Sequence, residues 1–169
     1  MFGINKKKII DHSDEEIVAV TTGAIIPNSQ ISDPIFASET MGKTVTIRPI
    51  EKNISVVSPI NGTLEVIYPT GHAFAVRGKG NIGLLIHIGV DTVELNGKGF
   101  KIMAKQGEQV KAGQEIIKAD FRYIKAMGYD ISTMTIVSEN PDNRKIEFKE
   151  NINIEMEETI MKWSSSYIR

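Results

Sequence analysis

The chain of 169 residues contains no cysteine, which excludes a disulfide scaffold, a thiol nucleophile and a zinc site built on thiolates. It also lacks an excess of charge of either sign: 20 Lys and Arg stand against 21 Asp and Glu, for a formal net charge of -1. No basic stripe interleaved with aromatics is present, so nucleic acid is not expected as a partner. Long hydrophobic runs are missing too. The longest fall far short of a membrane span, and the N-terminus has no apolar stretch of the signal-peptide kind. A cytoplasmic protein is therefore expected, with at most peripheral membrane contact. The length suffices for one complete core and not for two ordinary domains. A single domain over 17–169 is expected behind a flexible tail over 1–16. In that tail Lys6-Lys7-Lys8, flanked by Phe2, Ile4, Ile9 and Ile10, reads as a disordered end or, more sharply, as a weak amphipathic tether.

What the chain does have is a succession of short runs rich in Val, Ile and Thr: 17–20, 44–47, 54–57, 63–67, 73–76, 82–88 and 134–137. Turn signals separate them, among them Asn61-Gly62, Gly78-Lys79-Gly80-Asn81 and Asn96-Gly97. Many short strands at close spacing predict an all-β protein, an antiparallel β-sandwich or barrel-sandwich hybrid with short helical turns. The one helix candidate is 120–127, with Asp120 as N-cap and Gly128 as its stop.

Two of the three histidines, His72 and His87, lie inside short apolar runs bounded by glycines. Near neutrality imidazole can serve as a neutral nucleophile or as a cation, which is the chemistry a phosphohistidine needs. Period-two counting along the second run puts Ile86, Ile88 and Val90 on the core face and Leu85, His87 and Gly89 on the other, so His87 looks outward. The same count puts Thr70, His72 and Phe74 on one face. A hydroxyl two residues before an imidazole can bond one ring nitrogen, which makes Thr70 the candidate orienter of His72. Read alone, a histidine on a half-apolar strand is more often structural than catalytic, and Asp91 can be a simple turn residue. His12, in the charged stretch 11–16, reads as solvated and silent.

The residues around the histidines carry a resemblance. Ser58-Pro59-Ile60-Asn61-Gly62-Thr63, Tyr68-Pro69-Thr70-Gly71-His72-Ala73-Phe74 and the block from Leu85 through His87-Ile88-Gly89-Val90-Asp91-Thr92-Val93-Glu94-Leu95 to Phe100 resemble the glucose-type enzyme IIA of the bacterial phosphoenolpyruvate:sugar phosphotransferase system. Gln106 to Gln114, Asp33-Pro34-Ile35-Phe36-Ala37 and Met41-Gly42 match the same family, so the likeness runs over roughly 17–140. It implies a phosphoryl relay in which His87 accepts from the phosphocarrier HPr and donates to the IIB domain of a sugar permease. His72 would assist onward donation. The Gly89 carbonyl would accept from Nδ1 of His87, and Asp91 would hold the geometry. Ile35, Phe36, Phe74 and Val93 would form an apolar docking ring around the histidines. No cofactor is required, though two neutral imidazoles at close range can form a conditional zinc site completed by water or a partner carboxylate.

The sequence departs from the family pattern at Lys43, Gly71 and Gly83, and two of these changes alter surface charge. Two other functions compete. One is a regulatory binding protein controlled by the phosphorylation state of His87, acting on further targets. The other is a zinc metallopeptidase on a related scaffold, suggested by His87-x-x-x-Asp91 but short of the further imidazole such a site needs.

Overall fold

The computed structural model describes residues 10–162. The strands are β1 (Glu16–Val18), β2 (Gly23–Ile26), β3 (Lys43–Pro49), β4 (Ser55–Val57), β5 (Gly62–Ile67), β6 (Ala73–Arg77) and β7 (Gly83–Ile88). They continue as β8 (Phe100–Ile102), β9 (Gln109–Val110), β10 (Glu115–Ala119), β11 (Thr133–Glu139), β12 (Asn153–Ile154) and β13 (Thr159–Lys162). Two short helices, α1 (Pro34–Ala37) and α2 (Phe121–Ala126), interrupt them. All pairings are antiparallel. Eight strands form one sheet in the order β12-β2-β3-β11-β7-β6-β5-β9, three form β4-β10-β8, and β1 pairs with β13. The result is the antiparallel β-sandwich expected from the strand spacing.

The main core lies between these sheets. Leu64, Phe74, Leu84, Ile86 and Ile88 from the large sheet meet Val56, Ile116 and Ile117 from the three-stranded one, with Ile17 of β1 in the same cluster. Burying branched side chains of this size contributes about 1.5–3 kcal/mol each, which is what holds short strands with few hydrogen bonds together. Each of the seven β-rich runs forms a strand. The remaining strands are short or lie in polar stretches. The helix candidate forms as α2, where the Asp120 carboxylate accepts from the Tyr123 amide at 3.0 Å and the chain turns off before Gly128 at φ +95.

Two expectations are corrected. Phe74, expected on the docking ring, is fully buried: it sits opposite Ile86 and Ile67 in the β5-β6-β7 ladder and points into the main core. The alternation that aligned it with His72 does not extend that far, because β6 begins only at Ala73 and His72 belongs to the preceding turn. His12 is not solvated either. Its side chain is 7% exposed, and Nδ1 lies 3.0 Å from the Glu16 carboxylate. This end of the expected tail packs because the backbone carbonyl of His12 and the Asp14 carboxylate both accept from the Asn61 side chain. Lys6, Lys7 and Lys8 lie outside the described residues.

Phe74→Ala is expected to cost about 3–5 kcal/mol in denaturant unfolding, and Phe36→Ala, at a half-buried position, markedly less. Equal losses would mean that the burial assigned to Phe74 is wrong.

Candidate active site

His87 is held by the middle of the large sheet, where β7 runs between β6 and β11 and the residue faces Ala73 on one side and Met134 on the other. Its Nδ1 lies 2.7 Å from the carbonyl of Gly89, a hydrogen bond that needs the proton on Nδ1. Gly89 makes this return possible at φ +75. A Cβ there would meet Thr92 Cγ2 at 2.6 Å and the Asp130 carbonyl at 2.9 Å, so no larger residue fits. The loop is pinned from below: Gly89 N–H donates to the Ser132 carbonyl at 3.0 Å and Val90 N–H to the Asp130 carbonyl at 2.9 Å. The buried Thr92 hydroxyl donates to the Ile88 carbonyl. Asp91, left-handed at φ +60, opens the single turn Thr92–Leu95 and leaves its carboxylate exposed.

His72 stands beside it. The two rings are 5.2 Å apart between centroids and meet edge to face at 79°. The Thr70 hydroxyl lies 2.6 Å from His72 Nδ1. His72 is only 6% exposed, and burial, reinforced by the neighbouring His87, pushes its pKa down to about 4. Burial also lowers the pKa of His87, against the opposing pull of its bond to Gly89 and of the Asp33 and Asp91 carboxylates. Both imidazoles are therefore neutral at pH 7. With Nδ1 of His87 protonated, its Nε2 carries the free lone pair of a nucleophile.

A sequence model described as "phosphoenolpyruvate-dependent sugar phosphotransferase system, EIIA 1" matches residues 15–143. The chain belongs to this family. It is 39% identical over 141 residues to the PTS system glucose-specific EIIA component of Oceanobacillus iheyensis, covering 82% of this chain and 84% of that protein. Similarity to the PTS system glucose-specific EIICBA component of Streptococcus pneumoniae is 38% over 122 residues, but these span only 16% of that longer protein. Among solved structures, the glucose permease IIA from Mycoplasma capricolum superposes with a TM-score of 0.81 at 26% identity, over 89% of this chain and 96% of that one. EIIA components are phosphotransferases that carry phosphoryl groups on histidine, and this chain is such a relay of the sugar phosphotransferase system. Neither the purely regulatory reading nor the metallopeptidase is favoured. No helix among the described residues is long and apolar enough to cross a membrane.

Within this EIIA site the other expected residues fall in different places. Ile35 (54% exposed) and Val93 (49% exposed) are at the surface, and the Phe36 ring lies 4.9 Å from that of His87. Three contributors escaped the sequence reading. Tyr68 places its ring 5.4 Å from His72. Asp33 caps α1 by accepting from the Ile35 amide at 2.8 Å and acts electrostatically on His87. Asp130 accepts from the Ser32 hydroxyl at 3.1 Å and the Ser132 amide at 2.8 Å, while its own carbonyl holds Val90. One residue thus ties the segment bearing Phe36 to the loop bearing Gly89. Only the Asp33-Pro34 capping signal was readable in advance; the Asp130 link spans 98 positions. Among the described residues no group of three or more His, Cys, Asp or Glu is arranged to hold a metal.

The depressed pKa of His72 sets a pH dependence. Between its folded value of about 4 and the ordinary 6.5, the unfolded chain binds a proton that the folded one refuses. Stability should therefore fall as the pH drops below about 6.5 and level off near 4. His72→Gln should flatten that slope in urea unfolding across the range. An unchanged slope would mean that His72 titrates normally.

Proposed function

We propose that His87 accepts the phosphoryl group at Nε2 from phospho-HPr and passes it to the IIB domain of a sugar permease, in the cytoplasm. The observation that carries this reading is the 2.7 Å contact of His87 Nδ1 with the Gly89 carbonyl. It selects the tautomer whose Nε2 lone pair is free. A bond forms between that nitrogen and phosphorus as the donor's phosphorus–nitrogen bond breaks, and the Nδ1 proton stays on the ring to stabilise the product through Gly89.

His72 is poised to serve the transferring group. A neutral ring whose Nδ1 accepts from the Thr70 hydroxyl bears its proton on Nε2, and that N–H can donate to a phosphoryl oxygen. Positioning and electrostatics supply most of the catalysis of phosphoryl transfer. The exposed Ile35 and Val93, with Phe36 against the nucleophile, form the apolar surface on which HPr and the IIB domain would alternate. Relatives named as EIICBA components carry glucose- and glucoside-specific labels, which supports a permease of that kind as acceptor.

With phosphoenolpyruvate, enzyme I and HPr, the purified chain should take up one acid-labile, alkali-stable label that His87→Ala abolishes. His72→Gln should still accept from HPr, while transfer to a IIB domain falls roughly 100-fold or more. Label persisting in His87→Ala, or equal loss of both half-reactions in His72→Gln, would overturn these roles.

With the His72 proton moved to Nδ1, which then donates to the Thr70 oxygen, the same pair offers two of the four ligands of a tetrahedral zinc ion, with water or a partner's carboxylate to complete it. The donors fit in kind and charge but not in number, so zinc binding to the chain alone should be weak. Phosphorylation of His87 removes one ligand. Calorimetry should show zinc binding to the unphosphorylated form only; equal affinity for both forms would rule the site out.

A further inference from the structure

Away from the histidines, an open cleft of about 710 Å³ lies against the β4-β10-β8 sheet and α2. Four of its lining side chains are cations: Lys52, Lys101, Lys118 and Arg122. None of them is ion-paired among the described residues. Lys43, Arg48, Lys98, Lys105 and Lys149 likewise carry no ion pair among the described residues, so what sets the four apart is their convergence on one cleft; other cations of the chain are paired. Arg77 holds Glu65 and Glu139, Lys79 holds Glu15, and Lys125 holds Glu51.

The acids at the cleft are already engaged. Glu51 faces Lys125, Asp120 caps α2 through the Tyr123 amide, and Glu115, the nearest acid on β10, accepts from Ser55. The register sharpens the imbalance: Lys101 of β8 and Lys118 of β10 are direct cross-strand partners. Like charges placed opposite each other destabilise a sheet. The fold retains this repulsion within the open cleft, where two further cations stand.

The remaining walls are apolar, from Ile54, Phe100 and Tyr123. Tyr123 is seated, because its ring packs against Gly99 where even a Cβ would come within 2.9 Å. Concave sites of several hundred Å³ with an apolar wall and a few convergent charges are the usual form of small-ligand sites. The cleft shares no residue with the histidine site described above.

We propose that this cleft binds a small organic phosphate of the nucleoside-diphosphate kind, its phosphates between Lys101, Lys118, Lys52 and Arg122 and its planar ring against Tyr123 and Phe100. Two phosphate charges remove the cross-strand repulsion, and charge-assisted hydrogen bonds from four cations supply most of the attraction. The apolar wall makes a ring-bearing phosphate better than a bare one.

The test is an amide NMR titration of the full-length protein with ADP and, separately, with inorganic pyrophosphate at low salt. ADP should give saturable shifts at Gly99, Lys101, Lys118 and Asp120, with pyrophosphate about tenfold weaker. The double variant Lys101→Gln, Lys118→Gln should weaken ADP about tenfold or more, whereas Lys98→Gln, outside the cleft, should stay within about twofold. Phosphorylation by HPr should be unchanged in both variants. That last readout separates a failure of the cleft from a failure of the histidine assignment. No saturation by roughly 10 mM ADP, pyrophosphate binding as well as ADP, or equal weakening by Lys98→Gln would each overturn the proposal. So would vesicles rich in phosphatidylglycerol perturbing these amides where ADP does not, since the cations would then serve a membrane surface.

Discussion

One hydrogen bond, from Nδ1–H of His87 to the carbonyl of Gly89, determines what this protein can do. Neutral imidazole has two tautomers, and only one exposes Nε2 as a lone pair. The bond selects that tautomer, and it exists only because the chain doubles back within two residues. The reversal needs the positive φ of Gly89 and the absence of a Cβ between Thr92 and the Asp130 carbonyl. The loop is in turn held by Ser132 and Asp130 at the entry to β11. The chemistry thus rests on two segments distant in sequence, the turn after β7 and the entry to β11, joined by the β7-β11 ladder. A rigid sheet is the right support for a group that must be aligned before its partner arrives.

Burial sets the second constraint. Two imidazoles with ring centres 5.2 Å apart could repel each other as cations, but both are pushed towards neutrality by desolvation. Neutrality keeps His87 nucleophilic and leaves His72 a donor without a full charge. A cation beside the phosphohistidine would trap the group, whereas a neutral N–H guides it and lets it leave. The polarity of the pair is therefore matched to transit, not storage.

The sandwich was legible because its central strands are continuous β-branched runs whose burial is decided locally. Strands such as β9 and β12 were not, since two residues paired at the sheet's ends carry no periodicity. For the site, the Gly89 acceptor came from the likeness of the His87-Ile88-Gly89 block to the EIIA family, and Thr70 followed from a contact two residues long. Phe74 was placed on the docking ring by the family likeness, and period two agreed only because it was carried across Gly71, where φ of +76 turns the chain before β6 begins. That turn moves His72 to the side of His87 while Phe74 goes to the core. His12 was misread and Asp130 missed for another reason: the contacts that fix them include remote ones, Asn61 on the His12 carbonyl, Thr159 on its neighbour Glu16 and Ser32 on Asp130, which no local pattern encodes.

A net charge of -1 conceals an uneven distribution. The carboxylates of Asp33 and Asp91 are the charges acting on His87, while Lys52, Lys101, Lys118 and Arg122 gather in the cleft beside β8 and β10. In the proposed relay, these acids near the nucleophile would oppose the dianion once it is on Nε2. That opposition would keep the phosphohistidine high in transfer potential, which suits a group that must be passed on.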